Sequence, residues 1–285
     1  MGKRSWFNFA LLLFVALLAA LVYFEPGKEQ QQGILLTALD AEAVRQISVE
    51  RAQDSIVLQK QAGHWLLQAP VVVPAKLIYV QQLLEMLSQQ SVQRYPAEGL
   101  DLSKYGLQPP QARLVVDGVE LAFGRINPLN SRLYVMVDNV IHMVAANDIS
   151  LLGEPWHNYV STALFNVNDE LQSLLVPGLG RLDRGAEGWL FDGVIVPDSA
   201  DQLQVLVDAW SHAQALQVRP MTDAAAPETV VVRLASGAAI NFTLIAAEEE
   251  LVLQRRELGL EYVFDATQKS RLLQLLQPID EIVHE

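Results

Sequence analysis

Polar and apolar positions first separate sharply at residue 6. From Trp6 to Phe24 every position but Asn8 is apolar, a run of 19 residues. As a helix at about 1.5 Å per residue it is about 28 Å long, enough for a hydrocarbon core. Trp6 and Tyr23 stand near its ends, where amphipathic rings favour the membrane interface. Lys3 and Arg4 precede the run and Glu25 follows it, so the positive-inside rule places the N-terminus in the cytoplasm and the remainder outside. A cleaved signal peptide is the competing reading, but its apolar core is about 7–15 residues and ends in small residues, whereas this run ends in Leu21-Val22-Tyr23-Phe24. Ala16 and Ala20 have the small-xxx-small spacing that permits close helix packing, although alanine is common in any membrane helix. Residues 1–24 therefore read as a cytoplasmic stub and transmembrane anchor, and the polar residues 25–33 as a linker.

Beyond the linker the periods are mixed. Val44, Ile47 and Val49, then Ile56 and Leu58, then Trp65-Leu66-Leu67 have the form of short strands between polar turns. From Ala75 to Gln90, Leu77, Val80, Leu84 and Leu87 recur at helical spacing. Arg113 to Gly124 is a hairpin pattern about Asp117-Gly118, a pair that accepts the positive φ angles of a type I′ turn. Leu133–Val137 and Val140–Val144 make a second hairpin about Asp138-Asn139, and Asn147 is placed to cap a short helix beginning near Asp148.

The same order returns downstream. Ala62, Trp65 and Leu66 recur 124 residues later as Ala186, Trp189 and Leu190, and Val71-Val72-Val73-Pro74 recurs as Val194-Ile195-Val196-Pro197. Val80, Leu83, Leu84 and Leu87 fall on Leu203, Leu206, Val207 and Trp210, and Gly118, Leu121 and Phe123 on Gly237, Ile240 and Phe242. The second half closes on apolar Leu272, Leu273, Leu275 and Leu276. The expected fold class is α+β: the N-terminal transmembrane helix, then two tandem, similar α+β lobes rich in antiparallel strands and hairpins, over 34–155 and 156–285.

Composition narrows the function classes. The chain of 285 residues is 51% hydrophobic and 19% charged, which argues against disorder. Its net charge of −13 disfavours nucleic acid as a partner, since phosphate neutralisation needs a basic surface. With no cysteine, disulfides, thiolate catalysis and Cys-ligated zinc are excluded. The five histidines, His64, His142, His157, His212 and His284, include no pair at helical metal-ligand spacing. Gly178-Leu179-Gly180 lacks the third glycine of a dinucleotide fingerprint, and Glu248-Glu249-Glu250 reads as a solvated loop. Asn241-Phe242-Thr243 matches a glycosylation sequon, but Phe242 falls in a predicted buried strand. Trp65 and Trp189 begin equivalent strands and read as core aromatics, with a ligand-stacking platform as the alternative. No catalytic, cofactor-binding or metal-binding set is predicted. Asn127-Pro128-Leu129-Asn130, a tight turn, is the candidate partner loop.

Leu39-Asp40-Ala41-Glu42, Gly63-His64-Trp65-Leu66-Leu67, Pro70, Pro74-Ala75, Tyr105-Gly106-Leu107-Gln108-Pro109-Pro110, and Phe123-Gly124 with Asn127-Pro128 before Tyr134-Val135 form an ordered set. That set resembles the bacterial domain-of-unknown-function family 4340, over about residues 34–155 and loosely beyond Trp156. The resemblance implies single-pass, exported proteins, some of which occur with ABC transporters of the gliding-motility type, and it implies no catalytic residues.

The expected function is that of a membrane-anchored scaffold or accessory protein of the inner membrane. It would meet the lipid bilayer through residues 6–24 and hold its C-terminal part in the periplasm, where it binds envelope partners such as an ABC-type transporter complex. Two other classes stay open: a periplasmic ligand-binding module with its site between the lobes, and a hydrolase whose residues converge only in the fold.

Overall fold

The computed structural model describes Trp6, residues 13–15, 34–146, 149–194, Pro197, 199–223 and 228–275. Most of the apolar run 6–24, with Tyr23, Ala16 and Ala20, lies outside the described residues, as do Asn147, Asp148, Ile195, Val196 and Leu276.

The first half runs β1 (Ile34–Leu35), β2 (Gln46–Glu50), β3 (Ser55–Gln61), β4 (His64–Ala69), β5 (Val73–Pro74), α1 (Leu77–Leu87), β6 (Gln90–Ser91), β7 (Gln93–Pro96), β8 (Ala112–Val116), β9 (Val119–Ile126), β10 (Arg132–Val137) and β11 (Val140–Ala145). The second runs β12 (Leu171–Val176), β13 (Gly180–Arg184), β14 (Trp189–Gly193), α2 (Ala200–Ser211), β15 (Gln217–Pro220), β16 (Thr229–Leu234), β17 (Ala239–Ala246), β18 (Glu250–Arg255), β19 (Leu260–Asp265) and α3 (Ala266–Leu273).

Period-2 burial makes the strands: Ile47 and Val49 of β2, Ile56 and Leu58 of β3 and Leu67 of β4 are fully buried while their neighbours face outward. Both central residues of the β8–β9 turn, Asp117 and Gly118, have positive φ, and so do Asp138 and Asn139 between β10 and β11. Those are the turns in which short polar residues and glycine tolerate left-handed backbone.

The strands form a nine-stranded sheet of order β5-β4-β3-β2-β8-β9-β10-β11-β7 and an eight-stranded sheet of order β14-β13-β12-β16-β17-β18-β19-β15, with β1 and β6 as a separate pair. Apart from β5, the two large sheets have the same order. Each is a three-strand meander, a helix, a strand placed at the far edge, and a four-strand meander returning to the middle. The helices bury matching stripes, Val80, Leu83 and Leu87 on α1 and Leu203, Leu206 and Trp210 on α2, within one core that includes residues of both sheets. Residues 159–163 join the halves: Lys76 N donates to Tyr159 O (2.7 Å), Ser161 N to Pro74 O (2.9 Å), and Ala163 bridges Gln214.

The expected fold class is corrected. Strand outweighs helix by 44% to 22% among the described residues, which form three mostly antiparallel sheets in place of the expected α+β lobes. No helix among the described residues is long and apolar enough to cross a membrane. The reason is that the first large sheet is served by one helix of 11 residues and the second by one of 12 and the eight-residue α3, while nine and eight strands carry the rest.

A buried acid stabilises the far edge of the second sheet. Glu261 is fully buried and accepts from Arg219 Nε, from the backbone N–H (3.2 Å) and hydroxyl (3.0 Å) of Thr222, and from Gln254 Nε2 (3.0 Å). Burial alone would raise its pKa, but the hydrogen bonds from Gln254, Arg219 and Thr222 outweigh that and hold it below the ordinary carboxylate value. A group with a lowered folded pKa adds stability above its unfolded pKa and loses it as pH falls through the folded value. Glu261→Gln is therefore expected to cost about 1.5–3 kcal/mol at pH 7. In urea melts the gap to the parent should narrow below about pH 4; a gap independent of pH would refute the ionised network.

Candidate functional site

Short segments far apart in sequence meet on the outer face of the first sheet. In β10, Leu133, Val135 and Val137 belong to the main core with α1, whereas the alternate residues Tyr134 and Met136 pack on a second cluster. That cluster is centred on Ala97, Leu107, Ala122 and Ile141, with Tyr95, Leu102 and Tyr105 around it.

Glycine brings the pieces together. Tyr105 ends a 3-10 turn (Leu102–Tyr105) whose first N–H groups are capped by Asp101, and Gly106 leaves it at φ +68°. A Cβ on Gly106 would lie 2.9 Å from Arg125 N, and one on Gly124 would lie 2.3 Å from Tyr105 O. Segment 105–107 thus lies against β9 at a separation only glycine permits. The β9–β10 register shifts at the same place, Leu133 facing Ile126 but Val135 facing Phe123, so β9 has an extra residue there. Such a bulge bends a strand and re-aims its side chains.

The rings of Tyr105 and Tyr134 meet edge to face, 5.0 Å apart at 88°. Asn127 Nδ2 donates to the Tyr134 hydroxyl (2.9 Å), and its Oδ1 accepts from Leu129 N (2.9 Å). Asn127 N donates to Arg132 O (2.7 Å), Ser131 N to Asn127 O (2.9 Å), and Arg132 N to Asn130 Oδ1 (3.1 Å). The turn Asn127-Pro128-Leu129-Asn130 is therefore braced at both ends and backed by half-buried tyrosines. Leu129, 93% exposed, stands on it beside the exposed Ile126. Burial, with Tyr134 and Tyr105 nearby, raises the Tyr95 pKa above the ordinary phenol value, and its hydroxyl donates to Met143 Sδ at 3.2 Å. The arrangement offers an amphipathic contact surface: an apolar tip, aromatic rings with polar edges, and backbone held in one conformation.

The sequence pointed to the turn and missed the tyrosines. The signal present was that Tyr134 and Met136, large residues, occupy the face of β10 opposite its core positions. Of the predicted interface residues, Trp6 is exposed. Among the described residues no three His, Asp or Glu side chains gather as a metal site. Trp65 is core, 8% exposed, whereas Trp189 is only half-buried and lines a cleft in the second half.

The family model described as a domain of unknown function (DUF4340) matches residues 65–228, more than half of the chain. The match runs from β4 through the tyrosine cluster, α2 and β15, so the likeness extends well past residue 155. No curated protein and no solved structure matches.

Proposed function

The chain belongs to the DUF4340 family, and from that premise we propose that it is a scaffold or accessory protein that binds another envelope protein through the Asn127–Asn130 turn and the tyrosines behind it. The observation that carries this reading is Leu129, an apolar side chain 93% exposed on a turn whose hydrogen bonds hold it there. A rigid apolar tip costs little ordering entropy on binding, which is what an interface anchor needs. The apolar run 6–24, with Lys3 and Arg4 before it, supports placing residues 25–285 at the outer face of the inner membrane. An ABC-type membrane complex is the partner class that the resemblance implies.

A diazirine analogue of leucine at position 129, which keeps the apolar side chain, in full-length protein within the membrane, should give one dominant adduct. Leu129→Asp should lower recovery of that same partner about 30-fold, as loss of an anchor worth about 2 kcal/mol does. The melting temperature should stay unchanged, because an exposed substitution shifts stability by less than about 0.5 kcal/mol. Undiminished recovery would refute the assignment.

A further inference from the structure

The second half holds a cleft of about 600 Å³ between α2, the turn joining β13 to β14, and residues 163–171. It lies within one half of the chain, not between the halves. Trp189 lines it at the position where the first sheet has Trp65, and the two indoles differ in burial: Trp65 is closed into the core, while Trp189 is half-buried with the cleft beside it.

The polar side chains around Trp189 hold one another in place. Asn166 donates through N (2.8 Å) and Nδ2 (2.9 Å) to Asp169 Oδ2, and Gln204 Nε2 donates to Asp208 Oδ1 (2.8 Å). Arg184 Nη1 pairs with Glu170 Oε2 (3.1 Å), and His212 Nδ1 lies 3.0 Å from Asp208 O. In three of these pairs an atom is left over: the second oxygens of Asp169 and Asp208, Gln204 Oε1 and His212 Nε2 have no hydrogen-bond partner among the described residues, and Gln204, Asp208 and His212 are exposed to the cleft's solvent. Planar groups braced on one side and free on the other suit a ligand that presents adjacent hydroxyls, each able to donate and accept.

We propose that this cleft binds a neutral oligosaccharide, with a pyranose ring laid on the Trp189 indole and its hydroxyls hydrogen-bonded to Asp169, Gln204 and Asp208. The C–H face of a pyranose is apolar and matches the face of an indole, while its rim is polar throughout. Charge selects against anions: the cleft holds three carboxylates, Asp169, Glu170 and Asp208, against the single guanidinium of Arg184, in a chain of net charge −13. The pair Arg184–Glu170 is about half and two-thirds exposed, so the cleft is open at that side and admits a chain longer than one sugar. This site is separate from the Asn127 turn, and neither reading depends on the other.

The test titrates full-length protein in detergent micelles with chitotriose and maltotriose by calorimetry, and follows indole fluorescence in parallel. At least one of the two should bind saturably, and the fluorescence change should vanish in Trp189→Ala. Asp208→Asn, an exposed substitution expected to leave the melting temperature unchanged, should weaken that binding about tenfold and keeps the test valid if Trp189→Ala folds poorly. The proposal is overturned if neither sugar binds, if binding survives both substitutions undiminished, or if spermidine or citrate binds in their place.

Discussion

Replacing Trp210 by Ala should lower the unfolding free energy by about 4–5 kcal/mol, the upper end of the range for emptying a buried indole site. Trp210 is fully buried on α2, its ring centroid 6.4 Å from that of Phe242 on β17. Its Nε1 donates to Leu272 O on α3 at 2.8 Å. The substitution thus removes the largest side chain from the second half's core and leaves a buried carbonyl without its donor, which adds about 1 kcal/mol to the cavity cost. For a chain of this size the melting temperature should fall by about 10 °C, read by circular dichroism. Trp210→Phe should recover part of the packing and none of the hydrogen bond. A Trp210→Ala loss below about 1 kcal/mol would mean that α2 and α3 are not joined through this ring.

Gly124→Ala should cost about 3 kcal/mol and also impair the proposed partner surface, although Gly124 itself is buried beneath it. The added Cβ would stand 2.3 Å from Tyr105 O and 3.1 Å from Leu107 Cγ, and backbone cannot give way as a flexible side chain can. Segment 105–107 must then lift off β9, which separates Tyr105 from Tyr134 and loosens the support of Asn127. Crosslinking from position 129 should fall in parallel with stability. Gly153→Ala is the control: nothing lies within 4 Å of its Cβ, and it should be neutral within about 0.5 kcal/mol. Equal effects at the two glycines would show that close approach at Gly124 does not organise the site.

The Trp65–Trp189 pair shows how far sequence reading reaches. The two residues fall at equivalent points of a recurring pattern, and both stand at the start of the strand that ends a three-strand meander. Pattern matching therefore assigns them one role. Their burial differs because it depends on what is packed beside each strand: β4 has β5 along its outer edge, while Trp189 borders the cleft formed with α2 and residues 163–171. The tyrosine site was half legible for a related reason. Asn127-Pro128-Leu129-Asn130 announces a turn through local backbone chemistry, but Tyr105 and Gly124 meet only because β9 returns beneath the loop that precedes β8.

By itself the sequence determined what is local: the period-2 strands of the first half, the helical stripes of α1 and α2, and the Asp117-Gly118 and Asp138-Asn139 turns. These depend on φ/ψ preferences and on side-chain periodicity within a few residues. Only the tertiary structure decided the sheet order, in which Ile47 pairs with Val116 across 69 residues of sequence, and with it the predominance of strand over helix. It also decided the tyrosine cluster, the burial of Glu261 among Arg219, Thr222 and Gln254, and the cleft beside Trp189. Each of these is made by contacts whose partners are set by the packing of whole elements, and no short window of sequence contains both sides of such a contact.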